Sequence, residues 1–297
     1  MNPSDWINRS LYPFESRFFF LESGRMHFVD EGSGGPIVMV HGNPTWSFVY
    51  RELIKGLSPP FRCIAMDHIG FGLSDKPEGW SYRPADHAGN LEKLIETLGL
   101  KKITLVVQDW GGPIGLSYAI RHPDNVRSIV ILNTWMWPVS GVLHYELFSR
   151  LMGGAPGRFL IRRFNFFVTV LMRQMFHGKM PKEVYRHYVM PLNHPKDRKG
   201  CRAFPKEILG SGQWLAGLWS RREVLRTKPA LILWGMRDIA FRKQELNRWT
   251  RFLPHARLER FEKTGHFVQD EKGEDICPII DAFLRNRHSS GYRFQPG

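Results

Sequence analysis

The sequence predicts an α/β fold: a mainly parallel sheet covered by helices on both faces, with an inserted helical segment above one edge. Three observations predict it. Short apolar runs alternate with helical patterns along most of the chain, as in the strand–helix–strand units of a parallel sheet. One of these runs passes directly into a Gly-Gly turn and a helical stretch. The stretch from 135 to 226 carries no strand pattern at all.

Taken in order, Met26 to Glu31, Pro36 to Val40 and Phe61 to Met66 read as strands. Ala85 to Leu98 reads as an amphipathic helix, because Leu91, Leu94, Ile95 and Leu98 fall on one stripe. Ile103 to Gln108 is a buried strand, followed at once by Gly111-Gly112 and the helical stretch Pro113 to Arg121. Val126 to Leu132, Ala230 to Trp234 and Arg257 to Glu262 complete the strands, and Asp275 to Arg285 closes the chain as a helix. Between them, Trp135 to Arg226 is rich in Phe, Met, Trp and Arg and is punctuated by Gly153-Gly154, Pro156, Pro181, Pro191 and Pro205. It reads as a cap over the carboxyl edge of the sheet, enclosing an apolar pocket with the core below. The alternative is a set of ordinary helices packed on the sheet. The expected organisation is a core from 1–134 and 227–297, with the cap at 135–226. His288 to Gly297 is expected to be disordered.

The 297 residues, 42% hydrophobic and 24% charged, suffice for such a core and exclude a disordered chain. No apolar run is long enough to cross a bilayer, and Met1 to Phe14 lacks the apolar core of a secretory signal. Cys63, Cys201 and Cys277 are far apart with no C-x-x-C pair, so reduced thiols in a cytoplasmic protein are expected, not disulfides or a zinc site. The net charge of +14 is spread over the chain with only short pairs such as Arg162-Arg163 and Arg221-Arg222. No nucleic-acid motif accompanies it, so neither nucleic acid nor membrane is expected as a partner. Homo-oligomers remain open.

The chemistry is concentrated in Val106-Val107-Gln108-Asp109-Trp110-Gly111-Gly112. A strand, a sharp Gly-rich turn and a helix in succession form a nucleophile elbow, with Asp109 where Ser is usual. A plain helix-capping Asp is the alternative. A carboxylate is already ionised at neutral pH. It can attack an sp³ carbon bearing a leaving group and form an alkyl ester, which water then hydrolyses with help from a base. His266, in Gly265-His266-Phe267 after the last strand, is the candidate base. Asp238, just past Leu233-Trp234-Gly235, would accept Nδ1–H of His266 and stabilise its imidazolium; a loop Asp or helix cap is the alternative. The order nucleophile, acid, histidine fits an elbow of this kind. After the strand Pro36 to Val40, His41-Gly42-Asn43-Pro44-Thr45-Trp46 brings the backbone N–H of Asn43 opposite that of Trp110 as an oxyanion hole. Gly70-Phe71-Gly72-Leu73-Ser74 lacks the spacing of a dinucleotide loop and reads as a turn, so no nucleotide cofactor is expected.

These motifs, together with Asp67-His68-Ile69-Gly70-Phe71-Gly72-Leu73-Ser74-Asp75-Lys76-Pro77, resemble the haloalkane dehalogenase family of α/β-hydrolases over essentially the whole chain. The resemblance implies a small apolar halogenated substrate, with water consumed and halide released, and no metal or other cofactor. It implies that the side-chain N–H groups of Asn43 and Trp110 hold the halide, which needs donors only. Relatives place the acid either as Glu after the strand ending near Leu132 or at the Asp238 position. Asn133 stands at the first place here, which assigns the role to Asp238. Phe148, Phe167 and Trp137, with Phe166, are pocket candidates, although aromatics at helical spacing serve equally as core. An epoxide hydrolase would share Asp109, His266 and Asp238, drawing acid donors from Tyr145, Tyr185 or Tyr188, but Asn43 stands where such enzymes usually carry an aromatic residue. A fluoroacetate-type enzyme would carry Arg at Trp110, a luciferase-like oxygenase is a remote reading, and a hydrolase-fold protein that only binds a ligand is the reading from another class.

Overall fold

The computed structural model describes residues 5–285, and these form one eight-stranded sheet in the order β1-β2-β4-β3-β5-β6-β7-β8. The strands are β1 (Arg17–Leu21), β2 (Gly24–Glu31), β3 (Gly35–Val40), β4 (Phe61–Met66), β5 (Ile103–Gln108), β6 (Val126–Leu132), β7 (Ala230–Gly235) and β8 (Arg257–Phe261). β1 with β2 and β2 with β4 are antiparallel, and every later pairing is parallel. The strand-like runs fall where expected within one or two residues, except that β1 adds a strand. Its apolar run Phe18-Phe19-Phe20-Leu21 lies on the sheet edge with Phe18 and Phe20 exposed, so its pattern does not report burial. His288 to Gly297 lies outside the described residues.

Side chains alternate faces along a strand, and every residue of β5 and of β7 is buried, so both faces of the central sheet are covered. The covering helices are α1 (Arg51–Leu57), α2 (Pro84–Thr97) and α3 (Gly111–Arg121), then, after the insertion, α9 (Lys243–Phe252) and α10 (Gly273–Arg285). α1 packs on α10, and α2 on α3. α2 starts with Pro84 at its first turn, where a missing N–H is harmless, and buries Leu91, Leu94 and Ile95. α3 begins immediately against β3: a Cβ at Gly111 would lie 1.9 Å from the Val40 carbonyl oxygen, so only glycine fits there.

Between β6 and β7 the chain is helical and turn-like throughout. It comprises α4 (Leu143–Gly153), α5 (Ala155–Phe164), a wider π-helical turn (Phe167–Met172), α6 (Lys182–Val189), α7 (Lys199–Gly210) and α8 (Gly212–Ser220).

A buried ion pair of the core is tied to this insertion by a tyrosine. The Arg51 guanidinium lies 4.3 Å from the centre of the Phe48 ring and donates to Asp270 Oδ1 at 2.8 Å. The Tyr188 hydroxyl of α6 donates to the other oxygen of Asp270. Asp270 sits in the short helix Val268–Glu271, which follows directly from His266. Arg51→Met therefore leaves a carboxylate buried without its cation. We expect a loss of about 3–5 kcal/mol in urea unfolding, partly restored by adding Asp270→Asn; a loss under about 1 kcal/mol would show that the pair is not buried in solution.

Candidate active site

The β5–α3 junction forces Asp109 into the left-handed region, with φ +51°. Such a conformation is uncommon for a residue with a side chain and persists only where neighbours over-determine it. Here the Asp109 N–H donates to the Asn133 carbonyl at 3.1 Å. Its own carbonyl accepts from the Gly112 N–H at 2.9 Å and from the Thr134 hydroxyl at 2.5 Å. The turn thrusts the carboxylate against Gly42, where a Cβ would lie 2.2 Å from Oδ1. Oδ1 accepts the backbone N–H of Asn43 at 2.8 Å, and the Trp110 N–H also donates to the carboxylate. Burial pushes the Asp109 pKa up, while His266 and these two N–H groups pull it down; it stays above the ordinary carboxylate value.

His266 follows β8 and its Nε2 stands 3.7 Å from Asp109 Oδ2. Its Nδ1 donates to Asp238 Oδ2 at 2.8 Å. The remaining side of the ring is occupied by a residue that sequence reasoning treated only as the end of a strand: the Gln108 amide nitrogen lies 2.7 Å from Nε2 and 3.3 Å from the His266 carbonyl oxygen. A carbonyl only accepts, so the amide presents its NH₂ to the histidine. Nε2 is therefore the acceptor and the proton rests on Nδ1. Burial disfavours the imidazolium, but the charge and hydrogen bond of Asp238, with the charge of Asp109, outweigh it and raise the pKa.

Asp238 is held by its neighbours on β6 and β7. Oδ1 accepts the Ala240 N–H at 2.7 Å, and Oδ2 accepts the Asn133 side-chain amide at 2.8 Å. Asn133 also donates to the Gly235 carbonyl at 3.1 Å and accepts the Gly235 N–H at 2.8 Å, which locks its orientation. The His266 loop is tied to the insertion by its N–H to the Met175 carbonyl at 2.9 Å. Glu271 adds a clamp, accepting the N–H groups of Gly265 at 2.9 Å and His177 at 3.0 Å, while burial pushes its pKa up to about 7.

Asn43, Asp109 and Trp110 open into a cavity of about 210 Å³ whose surface is mainly apolar. The Trp110 ring is fixed by stacking on Phe204 (5.3 Å) and by an edge contact with Trp135 (4.6 Å). Loops after β6 and β7 contribute Trp135 and Ile239 to Arg242, and the insertion contributes His144, Tyr145, Phe148, Phe167 and Leu171. Phe148 and Phe167 thus line the cavity, whereas Trp137 does not. Trp137 packs on Trp219 (5.1 Å) and Trp249 (5.3 Å) with Arg248 over its face, a core role that its spacing could not distinguish from a pocket role. Phe166, Tyr185 and Tyr188 also lie outside the cavity wall, leaving Tyr145 as the one expected tyrosine within it, its hydroxyl donating to the Ala240 carbonyl. Trp135, missed in the sequence, adds a buried indole N–H with no hydrogen-bond partner.

Residues 35–273 match the family model of the α/β-hydrolase fold. Over 274 residues the chain is 42% identical to haloalkane dehalogenase 2 of Mycobacterium tuberculosis, covering 91% of this chain and 95% of that protein. It is also 34% identical to the cis-3-alkyl-4-alkyloxetan-2-one decarboxylase of Shewanella oneidensis, covering 97% and 93% of the two chains. Among solved structures, the haloalkane dehalogenase DatA of Agrobacterium tumefaciens superposes with a TM-score of 0.85 at 26% identity, covering 94% of this chain and 99% of that one. Elbow, sheet order and sequence agree, and the chain belongs to the haloalkane dehalogenase family of α/β-hydrolases.

Proposed function

We propose that the chain hydrolyses the carbon–halogen bond of a small apolar haloalkane through a covalent ester on Asp109, with Asp109, His266 and Asp238 as its triad. The observation that carries this reading is a carboxylate resting on two backbone N–H groups, 3.7 Å from a histidine held by a second carboxylate, in an apolar cavity. Asp109 attacks carbon, and the carbon–halogen electron pair leaves with the halide toward the side-chain N–H groups of Asn43 and Trp110. The ester carbonyl is then Cγ of Asp109. If Oδ1 becomes its carbonyl oxygen, that oxygen already accepts from the oxyanion donors.

Water attacks that carbonyl and gives its proton to Nε2 of His266, and the alcohol departs. To do so it takes the position of the Gln108 amide on Nε2. Alkylation also removes the charge of Asp109, one of the groups that raise the histidine pKa. The imidazole is therefore most easily kept neutral at the stage where it must act as a base. We assign residues 135–226 as the cap that keeps the cavity apolar. All three cysteines are free and buried, which supports a reducing, cytoplasmic setting.

The relative acting on an oxetan-2-one supports a second reading. Attack of Asp109 on the alkyl carbon of such a four-membered lactone frees a carboxylate where a haloalkane frees halide. Loss of CO₂ then forms the alkene and expels Asp109 again, without water. The two reactions separate at His266: His266→Ala should stall dehalogenation as an alkyl-enzyme visible by mass, yet leave lactone decarboxylation running.

Halide release from 1-bromobutane or 1,2-dibromoethane should vanish in Asp109→Ala. In a single turnover in heavy-oxygen water, the label should enter Asp109 and not the alcohol; label in the alcohol first would exclude the ester route. Replacing Trp110 by Phe removes one donor to a charged ligand and should weaken halide binding by about tenfold or more. Unchanged halide affinity would exclude Trp110 from the halide site. Asp109 must be ionised to attack and its pKa is raised, so kcat/KM should climb with pH through an acid limb above the ordinary carboxylate value of about 3.9. A limb at or below that value would show that burial does not dominate the Asp109 carboxylate.

A further inference from the structure

Large exposed apolar side chains are unevenly placed. Of the eight among the described residues, five lie between 143 and 164: Leu143, Leu147 and Leu151 on α4, and Phe159 and Phe164 on α5. The three leucines recur at i, i+4 and i+8 and so form one stripe along α4. Leu143 is 79% exposed and Phe159 60%, far from what packing inside this chain would leave. The same α4 supplies His144, Tyr145 and Phe148 to the cavity wall, and a sixth exposed residue, Ile239, also lines that cavity.

Charge on this part of the molecule is predominantly positive. Residues 143–212 contain thirteen Lys and Arg against four Asp and Glu. On α5, Arg158, Arg162 and Arg163 interleave with the exposed phenylalanines. Among the described residues none of Arg158, Arg162, Arg163 or Arg202 has a carboxylate within ion-pair distance. Arg158 and Arg162 stand close enough to Arg202 of α7 to disfavour its charge, after burial, and the Arg202 Nε is buried without a partner. A second copy of this chain would bring the same unpaired arginines against each other. An anionic partner with an apolar interior would satisfy both features.

We propose that α4 and α5 dock this protein on an anionic lipid surface. The leucines and phenylalanines enter the headgroup–acyl boundary, as on an interfacial amphipathic helix. The Arg158, Arg162 and Arg202 cluster holds lipid phosphate. This is a surface contact and not a span, since no helix among the described residues is long and apolar enough to cross a membrane. It goes beyond the sequence, which gave no reason to expect a membrane partner, because side-chain exposure is invisible there. With the cavity wall on α4, an apolar substrate dissolved in the bilayer would reach Asp109 with little passage through water. That delivery step rests on the proposed function; the docking does not.

The test is co-sedimentation of the full chain with vesicles of phosphatidylcholine alone or with phosphatidylglycerol added, at low and high salt. We expect binding to the phosphatidylglycerol vesicles at low salt only. Leu147→Glu and Phe159→Glu should each weaken it by about tenfold, and Arg158→Glu with Arg162→Glu should abolish the preference for phosphatidylglycerol. Lys101→Glu, at the opposite, amino end of β5, controls for net charge and should bind nearly as the native chain does. All these side chains are exposed, so circular dichroism and the melting midpoint should be unchanged. No sedimentation with anionic vesicles overturns the proposal, as does native-like binding by the Leu147, Phe159 and Arg158 with Arg162 variants. So does a concentration-dependent oligomer of the native chain that Leu147→Glu dissolves without any vesicle binding, which would give this face to a second copy. None of these readouts requires turnover, so failure of docking is separate from failure of the dehalogenase reading.

Discussion

The structure is organised around one requirement: a carboxylate must stand in an apolar cavity and remain a usable anion. Burial alone drives the Asp109 pKa upward, and an unpaired buried charge would simply take up a proton. The Asn43 and Trp110 N–H groups and the nearby histidine oppose that drift without closing the far side of the carboxylate. Two fixed dipoles are weaker partners than a direct cation would be. That weakness suits the nucleophile proposed for Asp109, because an arginine bonded to it would hold its lone pairs as firmly as it holds its charge.

The parallel sheet supplies these partners because its strands all end at one edge. Asn43 follows β3, Asp109 and Trp110 follow β5, Asn133 follows β6, Asp238 follows β7 and His266 follows β8. Small loop movements would disperse them, so each loop is tied to another element. The His266 loop is held by Met175 and Glu271, and Asp270 beside it by Arg51 and Tyr188. Part of the geometry of the proposed triad therefore depends on the helical insertion as well as on the sheet.

Much of this was legible in the sequence because steric and chemical constraints leave a trace in residue type. Gly111 must be glycine against the Val40 carbonyl, and Gly42 against the Asp109 carboxylate. The β5 run is apolar because both its faces are buried. Relations between side chains leave no such trace. Gln108 ends a buried strand in the sequence and touches the base nitrogen of His266 in the structure. Trp137 and Phe148 look alike in an aromatic-rich stretch, but only Phe148, on α4, meets the cavity, since Trp137 lies in the loop before α4 and packs on distant Trp219 and Trp249.

Asn133 shows how the acid proposed at Asp238 is held in place. Its side chain sits at the end of β6, and Asp238 lies beyond the adjacent end of β7, with the amide nitrogen 2.8 Å from Asp238 Oδ2. That same oxygen is 2.8 Å from Nδ1 of His266. The histidine meets one carboxylate oxygen at one point in space, and here the end of β7 delivers it. When β7 delivers it, a second carboxylate on β6 would stand against the first, in a buried site where like charges raise each other's pKa. An amide of nearly the same shape turns that repulsion into a donated hydrogen bond, and its reciprocal bonds to Gly235 fix which end of the amide faces the acid. Asn133 is therefore the complement of the Asp238 carboxylate: it orients that group and, through it, holds the tautomer of His266.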